Sequence, residues 1–256
     1  MRVAVLGAAG RMGATVCAAV RAAADMELVA AVDPGGAGGA PVGVEVVDDV
    51  AALVHAGAEV AVDFTRRDAA LANMAWCAGH GVHAVVGTTG LGEEELAALA
   101  RSYPAAGRLG CVVAPNFAIG AVLMMRFAEL AAPWFETAEI VELHHDAKVD
   151  APSGTAMLTA ERMAAASAEW GADPTRTTVV EGARGGAGPG GIRVHSVRLR
   201  GLVAHQEVLL GTTGQSLTIR HDSYDRHSFM PGVLLAVREV ATHPGLTVGL
   251  ETLLGI

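Results

Sequence analysis

Between residues 142 and 155 the chain reads Glu142-Leu143-His144-His145-Asp146-Ala147-Lys148-Val149-Asp150-Ala151-Pro152-Ser153-Gly154-Thr155, the densest polar cluster in an otherwise apolar sequence. Two imidazoles and an ammonium within five residues, directly after an apolar run, make a candidate acid–base and anion-binding site. Pro152-Ser153-Gly154-Thr155 then opens a helical pattern, and the first N–H groups of a helix suit a carboxylate. A cationic loop beside a helix start points to an anionic substrate. Three other readings compete. His144 and His145 are adjacent on an extended chain and point to opposite faces, so the pair does not by itself make a metal site. Ser153 lacks the G-x-S-x-G elbow of a hydrolase nucleophile and reads as an ordinary helix cap. A solvated structural loop is the third.

A second set of residues lies at the N-terminus, where Gly7-Ala8-Ala9-Gly10-Arg11-Met12-Gly13 follows one apolar run and opens a helical pattern. Glycines there let the backbone approach a pyrophosphate, whose charge sits on the helix N-terminus. The spacing is GxxGxxG rather than the commoner GxGxxG. Asp33, ending the next apolar run about 20 residues on, stands where an acid accepts from ribose hydroxyls. Arg11 can meet a 2′-phosphate, but Pro34-Gly35-Gly36 after Asp33 supplies no basic residue. The expected cofactor is NADH or NADPH, with NADH at least competitive. Gly87-Thr88-Thr89-Gly90 and Ala114-Pro115-Asn116-Phe117 follow two further apolar runs. Loops at the carboxyl ends of parallel strands line the ligand crevice, so Thr88 and Thr89 become candidates for holding the nicotinamide ribose and carboxamide.

The elements that must position these residues are legible in the pattern. Residues 2–7, 28–33, 60–65, 82–87 and 111–115 are short, nearly continuous apolar runs, as suits parallel strands covered on both faces. Helical segments at 11–24, 68–78 and 93–100 lie between them and can form crossovers. A Rossmann-like, doubly wound α/β domain follows. After Asn116 the texture changes. Ile119, Val122, Leu123, Phe127 and Leu130 share one helix face, 138–143 reads as a strand, and a helix starts near Ser153 and runs through Ala168. Residues 181–191 hold six glycines and a proline and are expected to form a long mobile loop. Strands with polar alternation at 192–200, 206–210 and 217–221 suggest a smaller α+β domain with a mixed sheet. The tail, 229–256, returns to helical texture. The expected division is a dinucleotide-binding domain of residues 1–116 and 227–256 and a substrate-binding and oligomerisation domain of residues 117–226.

Composition narrows the function further. Hydrophobic residues are 52% of the 256 and charged residues 18%, which excludes disorder. A net charge of -9 argues against a nucleic-acid surface, because phosphates want a basic face. No window reaches the roughly 20 apolar residues of a membrane span, and the N-terminus is apolar too briefly for a signal peptide. A cytoplasmic protein without membrane partners is expected. Cys17, Cys77 and Cys111 match no zinc or disulfide spacing and read as buried thiols.

The run from His144 to Ala156 follows H-x-x-x-K-x-D-x-P-S-G-T-A and is preceded by Glu139-Ile140-Val141-Glu142-Leu143. With GAAGRMG, Asp63-Phe64-Thr65, GTTG and APNFAIG in order, it resembles the 4-hydroxy-tetrahydrodipicolinate (dihydrodipicolinate) reductase family of lysine biosynthesis over essentially the whole chain. HAVVGTTG, GLVAHQEV and LTIRHDS look like its actinobacterial branch. The resemblance implies a homotetrameric NADH- or NADPH-dependent reductase of a small cyclic dicarboxylate on the diaminopimelate route. It implies loss of water to an unsaturated imine, hydride addition at ring carbon four and a proton to the neighbouring carbon. It assigns proton transfer to His144 and Lys148, and substrate binding to His145, Gly154 and Thr155. It places the cofactor on Gly7, Ala8, Ala9, Gly10, Arg11, Met12, Asp33, Gly87, Thr88, Thr89, Ala114, Pro115, Asn116 and Phe117, with no metal. One departure is Ala147, where many members carry a second basic residue; it bears on dicarboxylate binding. A different small-substrate dehydrogenase leaves the HH…K and PSGT cluster without a purpose, and a non-catalytic redox sensor would not need it.

Overall fold

The short apolar runs of the N-terminal half form strands buried on both faces. In a computed structural model describing residues 1–39 and 43–256, the chain divides into two units: Met1–Ile119 with Arg226–Ile256, and Gly120–Asp225. The first unit is built on β1 (Arg2–Leu6), α1 (Arg11–Ala22), β2 (Glu27–Val32), β3 (Val46–Val47), α2 (Ala52–His55), β4 (Val60–Asp63), α3 (Arg67–Gly79), β5 (His83–Val86), α4 (Glu93–Ser102) and β6 (Gly110–Val113). All pairings in its seven-stranded sheet are parallel, in the order β12-β6-β5-β4-β1-β2-β3, where β12 (Gly245–Val248) comes from the C-terminal tail. Every residue of β4 and β6 is buried, which is why these strands read as apolar runs interrupted only by Asp63 at the end of β4. The strand order reverses between β1 and β4, the switch point where doubly wound sheets bind ligands.

Alanine, valine and leucine carry most of this core, with Tyr103 its largest fully buried side chain. Its hydroxyl donates to Met74 O (3.2 Å), a contact that makes burying a phenol tolerable. Cys17, Cys77 and Cys111 are all buried, and burial pushes the Cys77 thiol up to about 12. The tail is less helical than its texture predicts. After α7 (Met230–Glu239) it supplies β12 and only a four-residue helix, α8 (Glu251–Leu254).

The second unit holds α5 (Ile119–Ala131, whose first residue belongs to the first unit), β7 (Thr137–His144), α6 (Gly154–Ala166), β8 (Gly186–Ala187), β9 (Arg193–Arg198), β10 (Ala204–Thr212) and β11 (Gln215–Ser223). Its sheet, ordered β11-β10-β7-β9-β8, is mixed: β7 and β9 are parallel and the other pairings antiparallel. β10 and β11 form a hairpin whose turn ends in Gly214 at φ +80°, a value for which glycine is suited.

Two expectations are corrected here. The buried residues of α5 are Ala121, Val122, Met124, Met125 and Ala128, while Phe127 and Leu130 are half exposed. The buried stripe runs through Ala121, Met124, Met125 and Ala128 at the three- and four-residue spacing of a helix face. The glycine-rich stretch 181–191 is not a loop throughout: Gly186 and Ala187 pair with Val194 and Arg193, and residues 188–191 form a tight turn closed by the Gly191 N–H to Gly188 O. Among the described residues no helix is long and apolar enough to cross a membrane.

Candidate active site

In the first unit the glycine loop is shaped by what a side chain would strike. Gly7 lies at φ +78°, and a Cβ there would stand 2.8 Å from the Phe64 carbonyl oxygen. At Gly13 a Cβ would fall 1.9 Å from the Gly7 oxygen, so α1 can approach β1 this closely only without one. Gly10 is the N-cap of α1, and no side chain caps that end. A helix start so presented is built for an anion that brings its own acceptors. Asp33 follows β2 and accepts from the N–H of Ala9 (3.1 Å) and of Gly35 (2.9 Å), so its carboxylate braces the loop.

Beside the Gly87–Gly90 loop sits Asp63, fully buried at the end of β4. It accepts from the Thr65 N–H (2.9 Å) and hydroxyl (2.7 Å), from the Thr88 hydroxyl (3.0 Å) and from the Asn73 amide (2.8 Å). Thr88 is therefore buried with its hydroxyl committed, whereas Thr89 is exposed. Gly87 is a glycine for lack of room: a Cβ would stand 2.2 Å from the Phe64 ring. Phe64 in turn packs on Phe117 with ring centroids 5.9 Å apart. Ala114 and Phe117 are buried, Pro115 is exposed, and Asn116 Oδ1 accepts from the Ala118 N–H at 2.9 Å.

In the second unit the knot is organised by Glu142, which is fully buried in β7. Arg198 of β9 donates to both its oxygens, at 2.9 and 2.8 Å, a bidentate pair. The Ser153 N–H donates to Glu142 Oε1 at 3.2 Å, and His144 Nδ1 lies 2.5 Å from Oε2. Burial alone would raise the Glu142 carboxyl, but hydrogen bonds from Arg198, Ser196 and His144 hold it below the ordinary carboxylate range. Burial pulls the His144 imidazole below its ordinary value; Glu142 opposes that shift, and Lys148 and Arg198 add to it.

Around this hub the loop is tied down. Lys148 Nζ donates to both oxygens of Asp150 at 2.8 Å, and Arg198 donates to the Asp150 carbonyl oxygen at 2.6 Å. Ser153 is the helix cap its sequence context suggests, its Oγ accepting from the Ala156 N–H at 3.2 Å. Gly154 opens α6 with open space where a Cβ would stand. His145 is exposed and is held by its backbone N–H to Val203 O.

A family model described as "Dihydrodipicolinate reductase, N-terminus" matches residues 1–117, and one described as "Dihydrodipicolinate reductase, C-terminus" matches residues 120–254. The 4-hydroxy-tetrahydrodipicolinate reductase of Cutibacterium acnes is 55% identical over 260 residues, covering 100% of this chain and 99% of that protein. The chain belongs to the dihydrodipicolinate reductase family. The Streptomyces coelicolor 4-hydroxy-tetrahydrodipicolinate reductase is 52% identical, with 100% of this chain and 98% of that protein covered. The dipicolinate-bound dihydrodipicolinate reductase of Paenisporosarcina sp. TG-14 superposes with a TM-score of 0.86 at 40% identity, over 98% of each chain. The chain is thus an enzyme with the fold of this reductase family.

The sequence pattern assigns no role to the two residues that organise the knot, Glu142, which it includes in the polar cluster, and Arg198, which it does not. A usable signal existed for Glu142: it alternates with Ile140, so both lie on the buried face of β7. Arg198 had none, being 56 residues away in sequence. A cavity of about 570 Å³ in the second unit is lined by Thr137, Glu139, Trp170, Asp173, Arg184 and Arg193 among others. It contains none of the predicted site residues, and its charges pair with one another: Arg184 with Glu139 and Arg193 with Asp173.

Proposed function

We propose that the chain reduces 4-hydroxy-tetrahydrodipicolinate with NADH or NADPH, on the diaminopimelate route to lysine. The observation that carries this is the buried Glu142–Arg198 clamp, which holds an imidazole beside a loop ammonium and a helix start. That is an acid–base pair next to a carboxylate grip. The glycine cradle Gly7–Gly13 fits a dinucleotide, since any Cβ at Gly7 or Gly13 would strike backbone. The cofactor contacts fall to Gly7, Ala8, Ala9, Gly10, Arg11, Met12, Asp33, Gly87, Thr88, Thr89 and the segment Ala114–Phe117. Thr88 acts there through its backbone, because its hydroxyl serves Asp63. A reduced dinucleotide held there by its pyrophosphate would supply the hydride that ring carbon four of the dehydrated substrate takes.

Lys148 then donates the proton that the neighbouring carbon takes, leaving Asp150 to do so, and His144 Nε2 takes up or returns a proton. Gly154 and Thr155 at the start of α6, with His145, hold the dicarboxylate. The enzyme is cytoplasmic and assembles as a homotetramer through the second unit. Assembly is supported by β11, a nine-residue edge strand whose Gln215–Thr218 are all exposed. Light scattering should give four chains' mass; a monomer at micromolar concentration contradicts this.

The direct test is absorbance loss from NADH or NADPH on adding pyruvate, aspartate semialdehyde and the preceding synthase. Folded protein that oxidises neither cofactor sinks the reading. NADH should be used with kcat/KM at least comparable to NADPH. A hundredfold preference for NADPH, about 2.7 kcal/mol, would show that Arg11 outweighs Asp33 and the loop after it.

A further inference from the structure

We propose that Glu142, clamped by Arg198, is a positioning residue for this reaction: it fixes the tautomer and direction of His144 and ties that ring to the first turn of α6. The inference rests on the assignment of His144 to proton transfer, and deepens it. A carboxylate can only accept. Its two oxygens already receive both guanidinium nitrogens of Arg198 and the Ser153 N–H, at 2.8–3.2 Å. His144 Nδ1, 2.5 Å from Oε2, must therefore carry a proton and donate it. In the neutral ring this leaves Nε2 without a proton, so the working nitrogen starts as an acceptor and becomes a donor once charged.

Register makes the arrangement rigid. In the parallel pairing of β7 with β9, His144 stands opposite Arg198 and Glu142 opposite Ser196. The ring, its carboxylate and the guanidinium thus hang on two paired strands rather than on the loop. The Ser153 N–H on the same carboxylate joins the start of α6 to this frame, and Arg198 also holds the Asp150 carbonyl two residues beyond Lys148. One buried carboxylate thereby sets the relative placement of the imidazole, the helix start and the lysine loop. A group that orients an acting imidazole in this way contributes to rate without touching substrate.

Two measurements test this. In the unaltered protein with ¹⁵N-labelled histidine, the His144 ring above its titration should show a protonated Nδ1 and a bare Nε2; the opposite tautomer overturns the proposal without any variant being made. Second, Glu142→Gln, which keeps shape and removes charge, should lower kcat by roughly a hundredfold or more with NADH affinity unchanged. In a His144→Ala background the same substitution should leave kcat where His144→Ala alone puts it, because the residue it orients is gone. Multiplying losses would mean that Glu142 acts by some route other than His144, and the proposal fails. Failure of the underlying assignment is separate: His144→Ala with normal kcat removes His144 from the chemistry, whatever its tautomer. Should Glu142→Gln not fold, the tautomer measurement still decides.

Discussion

The glycine loop of the first unit and the knot of the second, the two anion sites proposed above, are built by opposite means. The loop works by omission. Gly7, Gly10 and Gly13 clear space so that backbone alone presents the helix start, and Asp33 braces the loop by accepting from the Ala9 N–H. The knot works by commitment, with a buried charge, Glu142, spending every acceptor on groups from β7, β9 and α6. The difference teaches where each site is fragile. Adding a methyl group breaks the first; changing a charge breaks the second.

The largest expected effect is on the knot. Lys148→Ala should lower kcat by roughly 10²–10⁴ and raise KM as well, since in the proposed mechanism the ammonium both donates a proton and neutralises a carboxylate. Fluorescence titration should find NADH binding intact. Near-normal kcat and KM would leave the knot with a structural role alone.

On the other side, Gly13→Ala should cost about 1–3 kcal/mol of stability and weaken NADH binding by at least about tenfold. Its new Cβ meets main-chain atoms of Gly7 and Ala8 that cannot swing away. Unaltered NADH affinity in this variant would show that α1 does not need its close approach to β1. A finer contrast separates neighbours. Thr88→Val should cost about 1.5–3 kcal/mol in a denaturant melt, because it leaves buried Asp63 short of a donor. Thr89→Ala, at an exposed site, should change cofactor affinity and leave the melt unmoved.

The smallest effect is on pH dependence. Burial lowers the imidazoles of His83, His144 and His221, so below about pH 6.5 the unfolded chain binds protons that the folded one resists. Stability should therefore fall as pH falls. Hydrogen bonding from Arg238 holds the Asp25 carboxyl at about 2 against its ordinary 3.8, so its contribution is present above pH 3.8 and is lost as pH drops towards about 2. Asp25 is exposed, and Asp25→Asn should shift the acid limb of a melting profile only slightly. A melting temperature that rises from pH 7 to pH 5 would contradict the histidine part.

Much of the molecule was legible from local pattern. Parallel strands buried on both faces leave apolar runs with turns at their ends, and crossover helices leave their period between them, so the doubly wound sheet and its ligand loops could be read directly. The motif His144–Ala156 is contiguous for the same reason: a strand end, a loop and a helix start follow one another in chain order.

What the sequence alone determined, then, is whatever neighbours along the chain decide: five strands of the first sheet, the glycine cradle, the cap at Ser153 and the composition of the knot. Tertiary structure decided the rest. Only packing shows that α5 turns its alanines inward and leaves Phe127 half exposed, that the tail adds β12 to the first sheet, and that residues 186–187 pair with β9. Only sheet register brings Arg198 to Glu142 across 56 residues and so aims His144. Hydrophobic period is a property of consecutive residues, whereas the partner of a buried charge is chosen by which strand lies alongside, and no local pattern records that.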